Sequence, residues 1–283
     1  MNVKCEQCFL KTYTSLLNKF NVPLKAKKIF LSYYKQIIIE NNDLSNPEIQ
    51  KILTDKFNTL LEITNPFAEE KKYCNQLALL LYNEWKPKII NSNNHFDLAL
   101  RLALAGNIMD YSANDKFDIH QTIDNVLSAR FAINDSELLK NNINTSKTIL
   151  YLGDNAGEIV FDKLFIEIMN HDNVYYGIKG APILNDVTID DAIETHINLV
   201  AKVISNGCNY PSTILKRCSK EFMEIYESAD LIISKGQGNF EGLMHENDSR
   251  IFYLMMVKCD VIAELINVKK GSFVVFNKYK FCN

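Results

Sequence analysis

Thr-Ile-Leu-Tyr-Leu-Gly-Asp-Asn-Ala-Gly-Glu, residues 148–158, begins as an apolar, strand-like run and ends abruptly in carboxylate, amide and small residues. A helical pattern, Ile159 to Met169, follows at once. In an open α/β sheet this junction falls at the carboxyl end of a strand, where such folds collect ligands. Asp154 and Asn155 would there present hard oxygen donors on a rigid element. Such donors suit Mg²⁺, Mn²⁺ or a similar cation better than a metal that prefers thiolates.

Working outward, the period of the hydrophobic pattern changes near residue 145. Short β-rich runs at 148–152, 174–178, 201–205, 230–234, 251–257 and 272–277 follow it. They alternate with helical patterns at Glu158–Met169, Thr188–His196 and Thr213–Glu227, as in a mainly parallel sheet flanked by helices. Before it, apolar residues recur at three and four residue spacing in Cys8–Phe20, Ala26–Ile39, Ile49–Leu61, Glu69–Trp85 and Phe96–Met109. Asn46-Pro47-Glu48 and Asn65-Pro66-Phe67 read as helix starts, and a further helix is expected over His120–Phe131. Lys140–Lys147, rich in Asn, Ser and Thr, reads as a connection. The expected organisation is α/β: an all-helical domain over 1–145 packed on a Rossmann-like domain with a mainly parallel sheet over 146–283.

Bulk properties bound the function. Of the 283 residues, 47% are hydrophobic and 23% charged, an ordinary globular balance. The net charge of −3 carries no electrostatic footprint for nucleic acid, so an anionic ligand needs local positive charge or a metal. No apolar run approaches the roughly 20 residues of a membrane span, and the amino terminus lacks a signal-peptide core. Seven cysteines without a secretory signal point to reduced thiols in a cytoplasm. Oligomeric state is not legible.

Two further motifs carry chemistry. Lys179-Gly-Ala-Pro-Ile-Leu-Asn-Asp-Val-Thr188 follows the second strand of the α/β half, which sets it beside the Asp154 loop. Asp186 would complete a cation site with Asp154 and Asn155; the plainer reading is helix capping. Ser234-Lys-Gly-Gln-Gly-Asn-Phe-Glu241 follows the strand Asp230–Ser234. Gly236 and Gly238 would let backbone amides approach an anion, Lys235 would supply a point charge, and Asn239 would hydrogen-bond phosphate or a hydroxyl. A glycine-rich turn alone is weak evidence. A lysine loop opposite carboxylate loops is what phosphoryl chemistry needs. Cys5 and Cys8 have the spacing of half a zinc site but no second such pair, so they read first as thiols. None of the five histidines has metal-pair spacing.

Together these residues resemble the damage-control phosphatase family, also called the DUF89 family. The resemblance spans nearly the whole chain. It rests on Gly-Asp-Asn-Ala-Gly-Glu (153–158), Pro-Ile-Leu-Asn-Asp-Val-Thr (182–188), Ile-Ser-Lys-Gly-Gln-Gly-Asn-Phe-Glu (233–241), Ala-Gly-Asn-Ile-Met-Asp (105–110) and Cys5-Glu6-Gln7-Cys8. The cysteine pair points to the compact, mainly prokaryotic branch. The resemblance implies a metal-dependent phosphatase with a helical domain on an αβα sandwich. It implies a divalent cation (Mg²⁺, Mn²⁺, Co²⁺ or Ni²⁺) on Asp154, Asn155 and Asp186, with Lys235 by the phosphate and Asn239 beside it. Asp154, Lys235 and Asn239 are the catalytic candidates; Glu158, Gly236, Gly238, Asn107 and Asp110 are the substrate-binding ones. Asn107 and Asp110, three residues apart on one helix face, either line the cleft or end the helix, and the resemblance favours the cleft. Three positions depart from the family pattern: Ala181 for a frequent glycine, Gly242 for a larger polar residue and Asp260 for a frequent proline.

The leading expectation is hydrolysis of a small phosphorylated metabolite, a sugar phosphate or damaged phosphometabolite, with water or a carboxylate as attacking group. The alternatives are S-adenosylmethionine-dependent methyl transfer and non-catalytic metabolite binding. The first wants glycine where Asp154 and Asn155 stand. Neither explains why the carboxylate, amide and lysine loops occur together.

Overall fold

The computed structural model describes residues 2–41, 43–105 and 119–278. Six helices come first: α1 (Val3–Lys19), α2 (Leu24–Glu40), α3 (Asn46–Leu61), α4 (Ala68–Ile90), α5 (His95–Ala105) and α6 (Ile119–Ser128). A short strand β1 (Ile133–Asn134) and α7 (Ser136–Thr145) lead into the alternating part. That part runs β2 (Ile149–Leu152), α8 (Glu158–Met169), β3 (Val174–Ile178), α9 (Ile189–Thr195) and β4 (Lys202–Ser205). It continues through α10 (Lys220–Ser228), β5 (Leu231–Lys235), α11 (Gly236–Leu243), β6 (Ile251–Met256), α12 (Asp260–Leu265) and β7 (Phe273–Asn277).

The seven strands form one sheet in the order β1-β7-β6-β5-β2-β3-β4, parallel except where β6 meets β7. From β2 the chain builds outward to β3 and β4, then returns to place β5 on the other side of β2. The order therefore reverses between β2 and β5, and such a switch point opens a crevice at the carboxyl ends of the two strands. Gly153-Asp154 leaves β2 there, and Gly236 follows β5.

Strand alternation divides the core in two. Ile149, Tyr151, Tyr176, Ile233 and Leu254 point to one face, where Ala78, Leu102, Ile159 and Phe165 of α4, α5 and α8 cover them. Leu150, Leu152, Ile232, Tyr253 and Phe276 point to the other, under Phe222, Phe240 and Ile262 of α10, α11 and α12. Helices α1, α2 and α3 keep a separate core of Phe9, Tyr13, Leu17, Phe30, Tyr34, Ile49, Leu53 and Phe57, all at three or four residue spacing. Each such buried side chain contributes roughly 1.5–3 kcal/mol of apolar transfer.

Two details differ from the sequence reading. Lys140–Lys147 is no open connection, because α7 runs to Thr145. Leu139 and Ile143 of α7, four residues apart, are buried in the core on the α4–α5–α8 side, and that burial outweighs the weak helix propensity of Asn, Ser and Thr. β1 and α7 thus join the α/β layers although they precede residue 146. The helix expected over Thr213–Glu227 begins only at Lys220, where the Ser219 hydroxyl accepts from Phe222 N at 3.2 Å.

One ion cluster fastens α3 to the segment ahead of α10. Glu48 Oε2 accepts from the Ser45 amide at 3.1 Å and its hydroxyl at 2.8 Å. Glu48 Oε1 meets Lys216 and Arg217, each at 3.1 Å. Burial pushes the Glu48 carboxyl up, but these donors outweigh it and hold it at about 2. The unfolded reference lies near ~4.3, so this stabilisation is present above that pH and is lost as pH falls through the folded value. Glu48→Gln is expected to lower stability at pH 7 by about 1–2 kcal/mol and to flatten the loss of stability between about pH 5 and 2. Urea unfolding across that range checks this; superimposable pH curves would contradict it.

Candidate functional site

Backbone pairing assembles the site. After β2 the chain turns through Asp154-Asn155-Ala156, and after β3 it loops back through Asn185-Asp186-Val187. The two segments form an antiparallel bridge between Asn155 and Asp186. Ala156 N donates to Asn185 O and Val187 N to Asp154 O, both at 2.9 Å. This ladder brings Asp186 against Asp154 and Asn155, as the sequence reading expected of the three. Asn155 Nδ2 donates to Asp154 Oδ2 at 3.0 Å and to Glu158 Oε1 at 2.9 Å. With its donors on carboxylates, the amide keeps Oδ1 for other partners.

Asp154 lies over the start of α11. Gly236 has φ +79°, and a Cβ there would collide with the Asp154 carboxylate. Only glycine meets both conditions. The expected glycine-rich loop is therefore the first turn of a helix, whose amino-terminal dipole faces that carboxylate. Gly238 admits the Pro211 carbonyl, which would sit 2.9 Å from a Cβ. Gly242, one of the departures from the family pattern, lies where Ser212 and the Thr213 carbonyl leave no room for a side chain.

Lys235 and Asn239, expected beside the phosphate, have partners within the protein. Lys235 ends β5, is 1% exposed, and commits its ammonium to Asp162 Oδ1 at 2.6 Å, Ala103 O at 2.8 Å and Glu158 Oε2 at 3.3 Å. Three donors meet three acceptors, so the charge is spent inside the protein. Burial opposes that charge, but Asp162 and Glu158 outweigh it and hold the Lys235 ammonium above its ordinary range. Asn239 donates to Gly153 O at 3.0 Å and Lys235 O at 2.9 Å, and its Oδ1 accepts from Thr213 Oγ1 at 2.9 Å. It clamps the ends of β2 and β5 together. Asn107 and Asp110 lie outside the described residues.

Four residues escaped the sequence reading. Lys179, at the end of β3 and 3% exposed, approaches Asp186 Oδ2 at 3.4 Å and Asn239 Oδ1 at 3.3 Å. These are long contacts, and they place an ammonium beside the two loops. Asp162, one turn after Glu158 on α8, accepts from Tyr151 OH and Tyr176 OH at 2.8 Å each. Burial and the Asp162 charge push both phenols well above their usual range, so they stay neutral donors. From α4, Asn75 Oδ1 accepts from Gly157 N at 2.7 Å, and Lys71 pairs with Asp191 at 2.6 Å. The only early signal was the Glu158–Asp162 spacing, two acids a turn apart on an apolar helix.

The described part of the site holds Asp154, Glu158, Asp162 and Asp186 against Lys179 and Lys235, none more than 8% exposed. No group of three or more His, Cys, Asp or Glu among the described residues is placed to hold a metal. Asp154, Asn155 and Asp186 are a set of two carboxylates and an amide, all hard oxygen donors, and that chemistry fits a small divalent cation. Cys5 and Cys8 line a cavity of about 320 Å³ together with Cys259. Amides serve these thiols: Asn46 Nδ2 donates to Cys5 Sγ and Gln237 Nε2 to Cys259 Sγ, each at 3.4 Å.

A mainly parallel sheet with acid, amide and ammonium groups at its switch point defines a class: α/β proteins whose site lies at the carboxyl ends of the strands. The profile of the damage-control phosphatase ARMT1-like domain matches residues 1–274, and the chain belongs to that family of phosphatases. A damage-control phosphatase of Pyrococcus horikoshii is 38% identical over 221 residues, 76% of each chain. A damage-control phosphatase of Archaeoglobus fulgidus is 29% identical over 222 residues, again 76% of each. The crystal structure of a DUF89 family protein from P. horikoshii superposes with a TM-score of 0.89 at 29% identity, covering 98% of both chains. Among the described residues, no helix is long and apolar enough to cross a membrane.

The Lys235 network makes a stability prediction. Lys235→Met leaves Asp162 and Glu158 buried without their ammonium, and is expected to cost about 3–5 kcal/mol. Chemical denaturation measures it. A midpoint equal to that of the parent protein would mean that the charge is not spent internally.

Proposed function

We propose that this protein is a divalent-cation-dependent phosphatase that releases phosphate from a small phosphorylated metabolite, a sugar phosphate or a damaged phosphometabolite. The observation that carries this reading is the bridge between Asn155 and Asp186, which sets three oxygen-donor side chains together at the switch point with Lys179 alongside. A bound Mg²⁺, Mn²⁺, Co²⁺ or Ni²⁺ on Asp154, Asn155 and Asp186 would neutralise the phosphate and the charge that develops on it.

The chain's own residues do the rest. Lys179, whose contacts to Asp186 and Asn239 lie at 3.4 and 3.3 Å, turns to a phosphate oxygen and acts as the point charge expected of Lys235 on sequence alone. Lys235 works one layer deeper, fixing Glu158, which in turn orients the Asn155 amide. Such preorganisation matters because each donor then meets the transition state without rearranging. The rest of the substrate lies in the groove of about 580 Å³ between α3 and the site loops, where Asp55, Asn58 and Thr59 face Ala181, Pro182 and Asn209. The amide and hydroxyl groups of Asn58, Thr59 and Asn209 on its walls could meet hydroxyls of a metabolite, and the departure at Ala181 falls on the wall that would select it.

A phosphate-release screen over phosphorylated metabolites, with Mg²⁺, Mn²⁺, Co²⁺ and Ni²⁺ supplied one at a time, tests the reading. Turnover that survives complete chelation would remove the cation from it, and binding without turnover would leave a metabolite-binding protein. Asp154→Asn and Asp186→Asn are expected to lower kcat/KM by at least ~10²–10³-fold, the scale of losing one preorganised partner of a developing charge. Lys179→Met is expected to keep cation affinity by calorimetry while kcat/KM falls by about 2–4 kcal/mol of transition-state stabilisation. Unchanged kcat/KM in Lys179→Met would place the phosphate elsewhere.

A further inference from the structure

Helix α4 belongs to the helical part of the chain, yet two of its buried side chains, Lys71 and Asn75, end at the two loops of the site. Asn75 Oδ1 accepts from Gly157 N at 2.7 Å, and Gly157 stands two residues beyond Asn155, where α8 begins. Its Nδ2 donates to Asp191 Oδ1 at 3.0 Å and to Glu194 Oε2 at 2.8 Å, both on α9. Lys71 Nζ meets Asp191 Oδ2 at 2.6 Å and donates to Thr188 Oγ1 at 3.0 Å. Thr188 stands two residues beyond Asp186, where α9 begins, and its amide and hydroxyl both donate to Asp191 Oδ2 at 2.8 Å.

The two loops are thus held at two levels. The bridge between Asn155 and Asp186 joins them to each other. The α4 side chains hold the residue at which each loop turns into its helix. One amide touches both helix starts, so the place of Gly157 is tied to that of Asp191, and through Asp191 to that of Thr188. A buried donor or charge that loses such a partner is costly, which leaves the loops little freedom.

We propose that Asn75 and Lys71 are positioning residues for the cation, setting the spacing between the loop of Asp154 and Asn155 and the loop of Asp186. This rests on the cation reading given above. Both act through the loops and not as ligands: Asn75 is engaged by Gly157, Asp191 and Glu194, and an ammonium has no lone pair to offer. A small divalent cation tolerates little change in the spacing of its oxygen donors, and groups that orient such donors govern about 10–100-fold of affinity. Lys71 separates positioning from plain electrostatics. Removing a positive charge near a cation, with nothing moved, tightens cation binding. Releasing Thr188, and Asp186 with it, weakens binding. The two effects have opposite signs.

Mn²⁺ binding to the full-length protein is measured by titration calorimetry, and stability by urea unfolding, for the parent, Asn75→Ala, Lys71→Met and the control Leu81→Ala. Leu81 lies six residues beyond Asn75 on the same helix, buried in the apolar core. Asn75→Ala and Lys71→Met are expected to raise the Mn²⁺ Kd at least about tenfold. Leu81→Ala is expected to lose stability and keep the parent Kd. Should one of the two loop variants fail to fold, the other decides against the control; should both fail, Asn75→Ser and Lys71→Gln are read in the same way. Unchanged Mn²⁺ binding in Asn75→Ala, unchanged or tighter binding in Lys71→Met, or an equal loss in Leu81→Ala overturns the inference while the cation reading stands. A parent protein that takes up none of Mg²⁺, Mn²⁺, Co²⁺ and Ni²⁺ overturns the cation reading, and this inference with it.

Discussion

A buried ammonium between two buried carboxylates holds the centre of this molecule. Lys235 is the last residue of β5 and reaches Asp162 and Glu158 on α8. Asp162 also takes two tyrosine hydroxyls, from β2 and β3. Three neighbouring strands and the helix that covers them therefore share one ionic knot. Burying such charges is costly, and only complete pairing repays the loss of water. The knot is complete: the remaining donor of Lys235 finds the Ala103 carbonyl at the end of α5. A satisfied buried network of this kind specifies one geometry more sharply than it adds stability. Here the geometry it specifies is the spacing between the end of β5 and the start of α8, the two walls of the crevice.

That arrangement changes how the site would meet an anion. Its described side chains are richer in carboxylates than in ammonium groups. A phosphate approaching these side chains alone would be repelled, and a net charge of −3 over the chain offers no wider attraction. A divalent cation held by Asp154, Asn155 and Asp186 would cancel that excess, leaving the helix dipole of α11 and the Lys179 ammonium to attract the anion. In the proposed reading the acidic excess is what makes anion binding conditional on the cation. In that reading Lys179 is the more available ammonium, with contacts at 3.3 and 3.4 Å where Lys235 has two at 2.6 and 2.8 Å.

Much of this was legible before the fold was known, for identifiable reasons. Ile149–Leu152, Val174–Ile178 and Leu231–Lys235 are short β-rich runs that end in turn chemistry, so their carboxyl ends and the residues there could be numbered directly. Asp154, Asn155 and Asp186 follow from that topology, since successive parallel strands put their loops side by side. What escaped depends on contacts without a local signature. Lys179 just after β3 and Lys235 at the end of β5 both precede a glycine, and nothing nearby says which is held more tightly; the answer lies in Asp162, 73 residues from Lys235. Asn75 reaches Gly157 across 82 residues. β1 has two residues, too few for any period to show, and it exists because β7 offers it an edge.

The helical unit bears on specificity for a reason visible in its own packing. Helices α1, α2 and α3 fill one core among themselves, so their outer faces are free to vary without loss of stability. One of those faces, on α3, forms a wall of the groove beside Ala181 and Pro182. The same helix is fastened to the sheet side through Glu48, Lys216 and Arg217. The chemistry at the switch point sits on the rigid sheet, whereas the groove wall sits on a unit joined by ionic contacts at its rim. If the metabolite lies in this groove as proposed, changes on α3 would alter which one enters without disturbing Asp154, Asn155 or Asp186. In the proposed reading, that separation would let one phosphate-releasing centre be fitted to different phosphorylated metabolites through the groove wall alone.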